Sequence, residues 1–309
     1  MSTLSKAYLH DETAAIEKLE TILWPKGPVC PRCKGQDRVT KVGGETARAG
    51  LWRCGPCKRQ FTVTVGTLFE RSHVKMHLWF QAVALLAASK KGVSSHQLHR
   101  TLGVTYKTAW FMAHRIREAM RAGPLAVPFG AGGGAVEADE TFIGRKKGVP
   151  KRSAWHHKLK VLTLIDRDTG QARSVVVDNL RTRTLAPILR KNLAREARLM
   201  TDEGTHYIPI GKRFAEHSVV NHKAEEWVRG EAHTNTAEGY FSIFKRGMKG
   251  VYQHCAEKHL HRYLAEFDFR YNNRVALGIG DLERSGKAMA GIVGKRLTYR
   301  GSRAEPSAV

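Results

Sequence analysis

Acid is what this sequence has little of. Twenty-eight aspartates and glutamates (28) stand against 52 lysines and arginines, leaving a formal charge of +24. A deficit that large says nothing about fold, but it predicts attraction to a polyanion, nucleic acid first. Long apolar runs are missing too. No stretch reaches the ~18 residues of a membrane span, and the N-terminus lacks a signal-peptide core. A cytoplasmic, nucleoid-associated protein with no membrane partner and no small-molecule substrate is therefore expected. No segment repeats at a fixed period, which excludes solenoids and propellers. Cysteine is sparse, five in 309 residues, so a disulfide-built scaffold is excluded as well. The length suffices for a large core and for two or three domains.

The placement of the few cysteines is informative. Four form "CPRC" (Cys30, Cys33) and "CGPC" (Cys54, Cys57), with 20 residues between the pairs. Two Cys-x-x-Cys knuckles at that separation can supply four thiolates to one structural zinc ion. Two disulfides are the alternative, which neither a reducing compartment nor such short loops favour. Cys255 stands alone and reads as a small apolar residue.

Periodicity divides the chain. Residues 11–23 read as an opening helix, and "RQFTVTVGTLF" reads as a strand closing a ribbon around the cysteines, so that residues 1–66 form a first module. Residues 67–123 are helical. "KMHLWFQAVALLAASKKG" is a buried helix, and "VSSHQLHRTLGVTYKTAWFMAHRIREAM" gives two helices about a turn at Gly103, with Ser94 and Thr105 as N-caps. The second of these carries Lys107, Arg115 and Arg117 as candidate DNA contacts, a helix-turn-helix pattern, although a plain helical hairpin with a solvated basic face has the same periodicity. The Gly/Pro-rich residues 124–135 read as a linker. Beyond them, residues 136–296 alternate strands and helices in the order strand, strand, strand, helix, strand, helix, and residues 297–309 read as a disordered tail. The expected class is multi-domain α+β, with a mixed sheet flanked by helices.

Against the basic background, "AVEADETFIGRKK" puts Glu137, Asp139 and Glu140 into four positions of one strand. Phosphoryl transfer with two divalent ions needs carboxylates converging from different elements. Asp139 on this strand, Asp202 at the end of "RLMTDEG" and Glu238 on the helix "TNTAEGYFSIFKRG" are candidates. Lys245, two turns after Glu238 on the same face, and Arg246 beside it could hold phosphate. Each acid also has an ordinary explanation, as a solvated turn residue or as a first-turn helix acid. One step along a strand reverses the face, so Asp139 and Glu140 are expected to point apart, with Glu137 on Asp139's side. Spacing alone does not choose among them.

Together "EADETFIGRK", "TDEG" and "HTNTAEGYFSIFKRGMKGVYQH" resemble the DDE insertion-sequence transposases that carry an N-terminal zinc ribbon. The resemblance runs from the cysteine pairs to "FDFRYNNR", and the 35 residues between Asp202 and Glu238 match the spacing common in that family. It implies a ribonuclease H-like catalytic domain and a metal-binding triad of Asp139, Asp202 and Glu238 holding two Mg2+ or Mn2+ ions. It also implies binding to terminal inverted repeats and target DNA, with a homo-oligomer in the DNA complex. A non-catalytic DNA-binding regulator and a hydrolysis-only nuclease are the alternatives.

Overall fold

In a computed structural model the described residues are 5–44, 46–151 and 155–298. The chain forms two compact units. One holds the residues up to Ser89, Val93–Met120 and the segment starting at Ile279; the other holds Lys90–Gly92 and Arg121–Gly278.

The first unit begins with α1 (Glu12–Leu23), whose N-cap Asp11 accepts a hydrogen bond from the Ala14 amide at 2.7 Å. An antiparallel ribbon follows: β1 (Val39–Lys41), β2 (Trp52–Cys54) and β3 (Gln60–Phe61), in that order. The expected closing strand stops at Phe61. Residues 62–67 coil through successive turns instead, because threonine hydroxyls compete with a ladder for backbone groups: Thr67 Oγ1 donates to the Thr64 carbonyl at 2.7 Å. Next come α2 (Met76–Ala88), which buries Trp79, Phe80, Val83 and Leu86, then α3 (Ser95–Leu102) and α4 (Tyr106–Met120). Ser94 caps α3 by accepting from the Gln97 amide. Gly103 turns the chain at φ 65°, a left-handed conformation that costs glycine little. Thr105 accepts from the Thr108 amide at 3.2 Å as α4 starts.

Two expected boundaries are corrected. Residues 136–296 were expected to fold together, yet the segment from Ile279, with α9 (Asp281–Ala290), joins the first unit. Its apolar side supplies the reason. Ala288, Met289 and Ile292 are fully buried, α9 packs on α2, and Arg284 donates to the Ala87 carbonyl at 3.0 Å. The 124–135 stretch is not a free linker. Phe129 is buried in the second unit's core, its amide donates to the Asn192 carbonyl, and the Gly130 amide donates to Asp166. Of the tail expected to be disordered, residues 299–309 lie outside the described residues.

The second unit is a five-stranded sheet in the order β6-β5-β4-β7-β8. Its strands are β4 (Ala135–Ile143), β5 (Leu159–Asp166), β6 (Gln171–Val177), β7 (Arg198–Thr201) and β8 (Glu216–Val219). The first three form an antiparallel meander, and β7 and β8 run parallel to β4, the ribonuclease H-like mixed arrangement. A short helix α6 (Ile208–Gly211) precedes β8. On one face α5 (Thr182–Asn192) lays Leu185, Ile188 and Leu189 against Val136, Ala138, Leu162 and Leu164. On the other, α7 (Asn235–Gly247) and α8 (Glu257–Asn272) lay Tyr240, Phe244, Leu264 and Phe267 against Ile143, Val161 and Ile165. Each buried Val, Leu, Ile or Phe among them contributes about 1.5–3 kcal/mol on leaving water. All eight positions of β5 are buried, as a strand covered on both faces requires.

Candidate metal centres and nucleic-acid interface

The four cysteines converge. Cys30 Sγ lies 3.6 Å from Cys57 Sγ, and Cys33 Sγ lies 3.6 Å from Cys54 Sγ, with all four sulfurs within 4.8 Å of one another. A disulfide would bring a pair to about 2 Å. Four thiolates about 2.3 Å from a tetrahedral zinc lie roughly 3.8 Å apart along each edge, so the spacing fits zinc. The residues that close the knuckles, Lys34 and Lys58, both adopt positive φ, 60° and 56°, just after Cys33 and Cys57. The Cys30 amide meanwhile donates to the Gly35 carbonyl and the Cys54 amide to the Arg59 carbonyl. Backbone amides thus help to shape both loops around the sulfurs. Cys255 sits far along the chain, against the α7/α8 core.

The acidic site arises from the parallel pairing of β4 and β7. Glu137 pairs with Met200, and two residues further along the same register bring Asp139 level with Asp202. Carboxylate oxygens of Asp139, Glu140 and Asp202 lie within 4.8 Å of one another. Glu140 was expected to point away. The alternation holds, since Glu140 follows Val136 and Ala138 on the α5 face, but the long side chain still brings its carboxylate to the other two acids. Tyr207 OH donates to its carboxylate, and His206 Nε2 sits 3.0 Å from the same oxygen. Glu238 stands near the cluster without joining it. Its side chain is 48% exposed, 3.8 Å from His222 Nδ1, and its charge reaches Asp139. Lys245 lies 5.9 Å from the Phe241 ring centroid, and Arg246 is exposed.

The electrostatics fit a cation. Burial, then the charges of Glu140 and Asp202, push the Asp139 carboxyl up to about 8. Burial and Glu140 push Asp202 up as well. Three converging carboxylates repel one another, and a hard divalent ion with oxygen preference relieves that repulsion. Tyr207, wholly buried and raised well above its usual range, keeps its proton and so remains a donor to Glu140.

Among the helix-turn-helix residues, Lys107 is exposed on the first turn of α4. Arg117 is 1% exposed and belongs to the core side of the helix, which removes it as a groove contact. Arg115 lies over the Phe111 ring at 4.6 Å and donates to the Leu297 carbonyl, so it is held against the fold. A basic residue's position on a helix wheel does not show which side meets a neighbouring helix. No local signal marked Tyr207, His206, Arg167 or strand β8 beforehand.

Comparison with known proteins agrees with this construction. Residues 132–272 match the ISXO2-like transposase domain, and residues 10–60 match the transposase zinc-ribbon domain. An uncharacterized protein in the transposable element ISH50 of Halobacterium salinarum is 29% identical over 277 residues, 84% of this chain and 90% of that protein. The four cysteines lie in the first unit within the zinc-ribbon match, and the five-stranded sheet lies in the second unit within the transposase-domain match. The chain belongs to the insertion-sequence transposases that join an N-terminal zinc ribbon to an ISXO2-like transposase domain.

Proposed function

We propose that this transposase binds the ends of its own insertion sequence and both cleaves and joins DNA at the acidic site. The observation that carries the proposal is the meeting of Asp139, Glu140 and Asp202 oxygens within 4.8 Å, where the middle of β4 runs beside the end of β7, in a chain of net charge +24. Asp139, Asp202 and Glu238 are the ligand set for two Mg2+ or Mn2+ ions. Such ions supply Lewis-acid polarisation of a phosphodiester and neutralise charge on the attacking and leaving oxygens. Glu140, fixed by Tyr207 and His206, keeps its oxygen beside Asp139 and Asp202. Lys245 and Arg246 hold flanking phosphates.

Water attacks the phosphodiester at the element end, and the P–O3′ bond breaks to leave a 3′-hydroxyl and a 5′-phosphate. The hydroxyl then attacks a target phosphodiester in the same site, forming a P–O bond to the element end as the target's own P–O3′ bond breaks and releases a target 3′-hydroxyl, so no covalent protein–DNA bond is required. End recognition falls to the ribbon and to the exposed first turn of α4 around Lys107. Two ends must meet for joining, so the DNA complex is a homo-oligomer, acting on nucleoid DNA in the cytoplasm. Among the described residues no helix is long and apolar enough to cross a membrane. The test is an in vitro reaction on duplexes carrying the element's ends, with and without Mg2+. Cleaved and joined products that require Mg2+ are expected. Cleavage without joining would leave a hydrolytic nuclease, and binding without either would leave a regulator.

A further inference from the structure

Glu137, two residues before Asp139, is 0% exposed, and its carboxylate oxygens are committed to protein donors. Its Oε1 accepts from Thr236 Oγ1 at 2.7 Å and from Arg167 Nε at 2.7 Å, with His233 Nδ1 3.3 Å away. Its Oε2 accepts from the Ala237 amide at 2.9 Å. Arg167 also donates to the carbonyls of Glu231 and His233, and to His233 Nδ1. The N-cap residue of α7, Thr234, makes no side-chain cap bond. The first turn of α7 therefore takes its cap from a carboxylate on another element, where the exposed amides and the helix dipole both favour negative charge.

We infer that Glu137, braced by Arg167, is the positioning residue that sets Glu238 relative to Asp139. The inference rests on the reading that Asp139, Asp202 and Glu238 hold divalent ions. Glu137 and Asp139 share one face of β4, roughly 7 Å apart along the strand. On the other side of the clamp, Ala237 directly precedes Glu238. One buried carboxylate thus links the strand that carries one ligand to the helix that carries another, through bonds at fixed length. Arg167 ties the segment before the helix to the same point, so α7 cannot pivot about its first turn. Ala237, Tyr240 and Phe241 are buried in the apolar core on that side of the sheet, contacts that do not pass through Glu137. The helix therefore persists without the clamp, while its terminus loses its fixed height over Asp139. Metal sites need ligands held to about half an ångström, which apolar packing alone does not ensure.

Full-length Glu137→Asp and Thr236→Val test this, with Thr236→Ser as the conservative control and Glu238→Gln as reference. Each is titrated with Mn2+, the free ion being counted by electron paramagnetic resonance, and each is melted in parallel. Glu137→Asp keeps the charge that Arg167 needs but shortens the reach, and Thr236→Val removes one clamp bond without stranding a charge. Both are expected to melt close to the unaltered protein and to weaken the Mn2+ site shared with Glu238 by about tenfold or more, as lost supporting bonds do elsewhere. Thr236→Ser should bind as the unaltered protein does. Unchanged Mn2+ binding in folded Glu137→Asp and Thr236→Val, alongside weakened binding in Glu238→Gln, would overturn the inference. Unchanged binding in Glu238→Gln would overturn the ligand assignment and the inference with it.

Discussion

Three acids in four consecutive positions of one strand take three different environments. Glu137 is wholly buried against the N-terminus of α7, Asp139 faces Asp202, and Glu140 accepts a hydrogen bond from Tyr207 OH. Asp139→Asn, Asp202→Asn and Glu238→Gln should each abolish cleavage and joining while end binding stays near that of the unaltered protein, measured by gel shift on the same duplex. Glu140→Gln should cost at least about tenfold in cleavage, the magnitude typical of groups that touch ligands or serve as them; a rate within twofold would return Glu140 to a bystander. A second residue prediction concerns Asp268 on α8. Half-buried, it accepts from Tyr240 OH, Ser174 Oγ and the Ser174 amide, yet desolvation outweighs these bonds and raises its carboxyl to about 6. A carboxyl raised on folding stays protonated in the folded chain while the unfolded chain ionises. Its contribution is therefore fully present below about pH 4 and is lost as pH rises to about 6, by roughly 3 kcal/mol at most. Thermal melts from pH 4 to 7 should show that decline in the unaltered protein and a smaller one in Asp268→Asn.

At the scale of elements, the ribbon and the helix pair carry separate predictions. The ribbon buries Cys30, Cys54 and Phe61, with Trp24 and Trp52 packed against them, a core too small to hold three short strands unaided. Cys30→Ser or Cys54→Ser should release the zinc and remove amide-exchange protection over residues 39–61, while protection in β4 and β5 persists; metal analysis of the purified protein should return one zinc per chain. In α4, Lys107→Ala should weaken end binding at an unchanged melting temperature and lower the salt slope by about one, as loss of a single phosphate contact does. Arg117→Ala should do the reverse. Its side chain is in the core, so the melting temperature should fall, with a cost of about 2 kcal/mol or more.

At the scale of the whole molecule, the first unit is discontinuous. A fragment ending near Gly123 carries the ribbon, α3 and α4 but lacks α9, which packs on α1, α2 and α4. That fragment should melt well below one in which residues 1–120 are joined by a flexible linker to 279–298, and only the joined fragment should hold full affinity for the ends. Calorimetry of the two, with end-binding isotherms at several salt concentrations, decides this. Equal stability would mean that α9 contributes nothing to the unit.

Local chemistry alone determined the elements that satisfy themselves nearby. Each Cys-x-x-Cys knuckle, the Ser94 and Thr105 caps and the Gly103 turn need only neighbours within a few residues, and all stand where the pattern put them. The acidic site was half legible. Asp139 and Asp202 carried a motif, but their meeting depends on a parallel register between strands some sixty residues apart in sequence, which no local pattern encodes. The convergence of Glu140 was not legible because strand alternation places a Cβ, whereas a glutamate's reach and a buried tyrosine place its oxygens. Arg117 misled for the related reason that a helix wheel shows periodicity and not which neighbour covers a face. The return of α9 to the first unit, and the capping of α7 by Glu137, also belong to tertiary structure. Each joins groups distant in the chain, through apolar burial in one case and a shared carboxylate in the other.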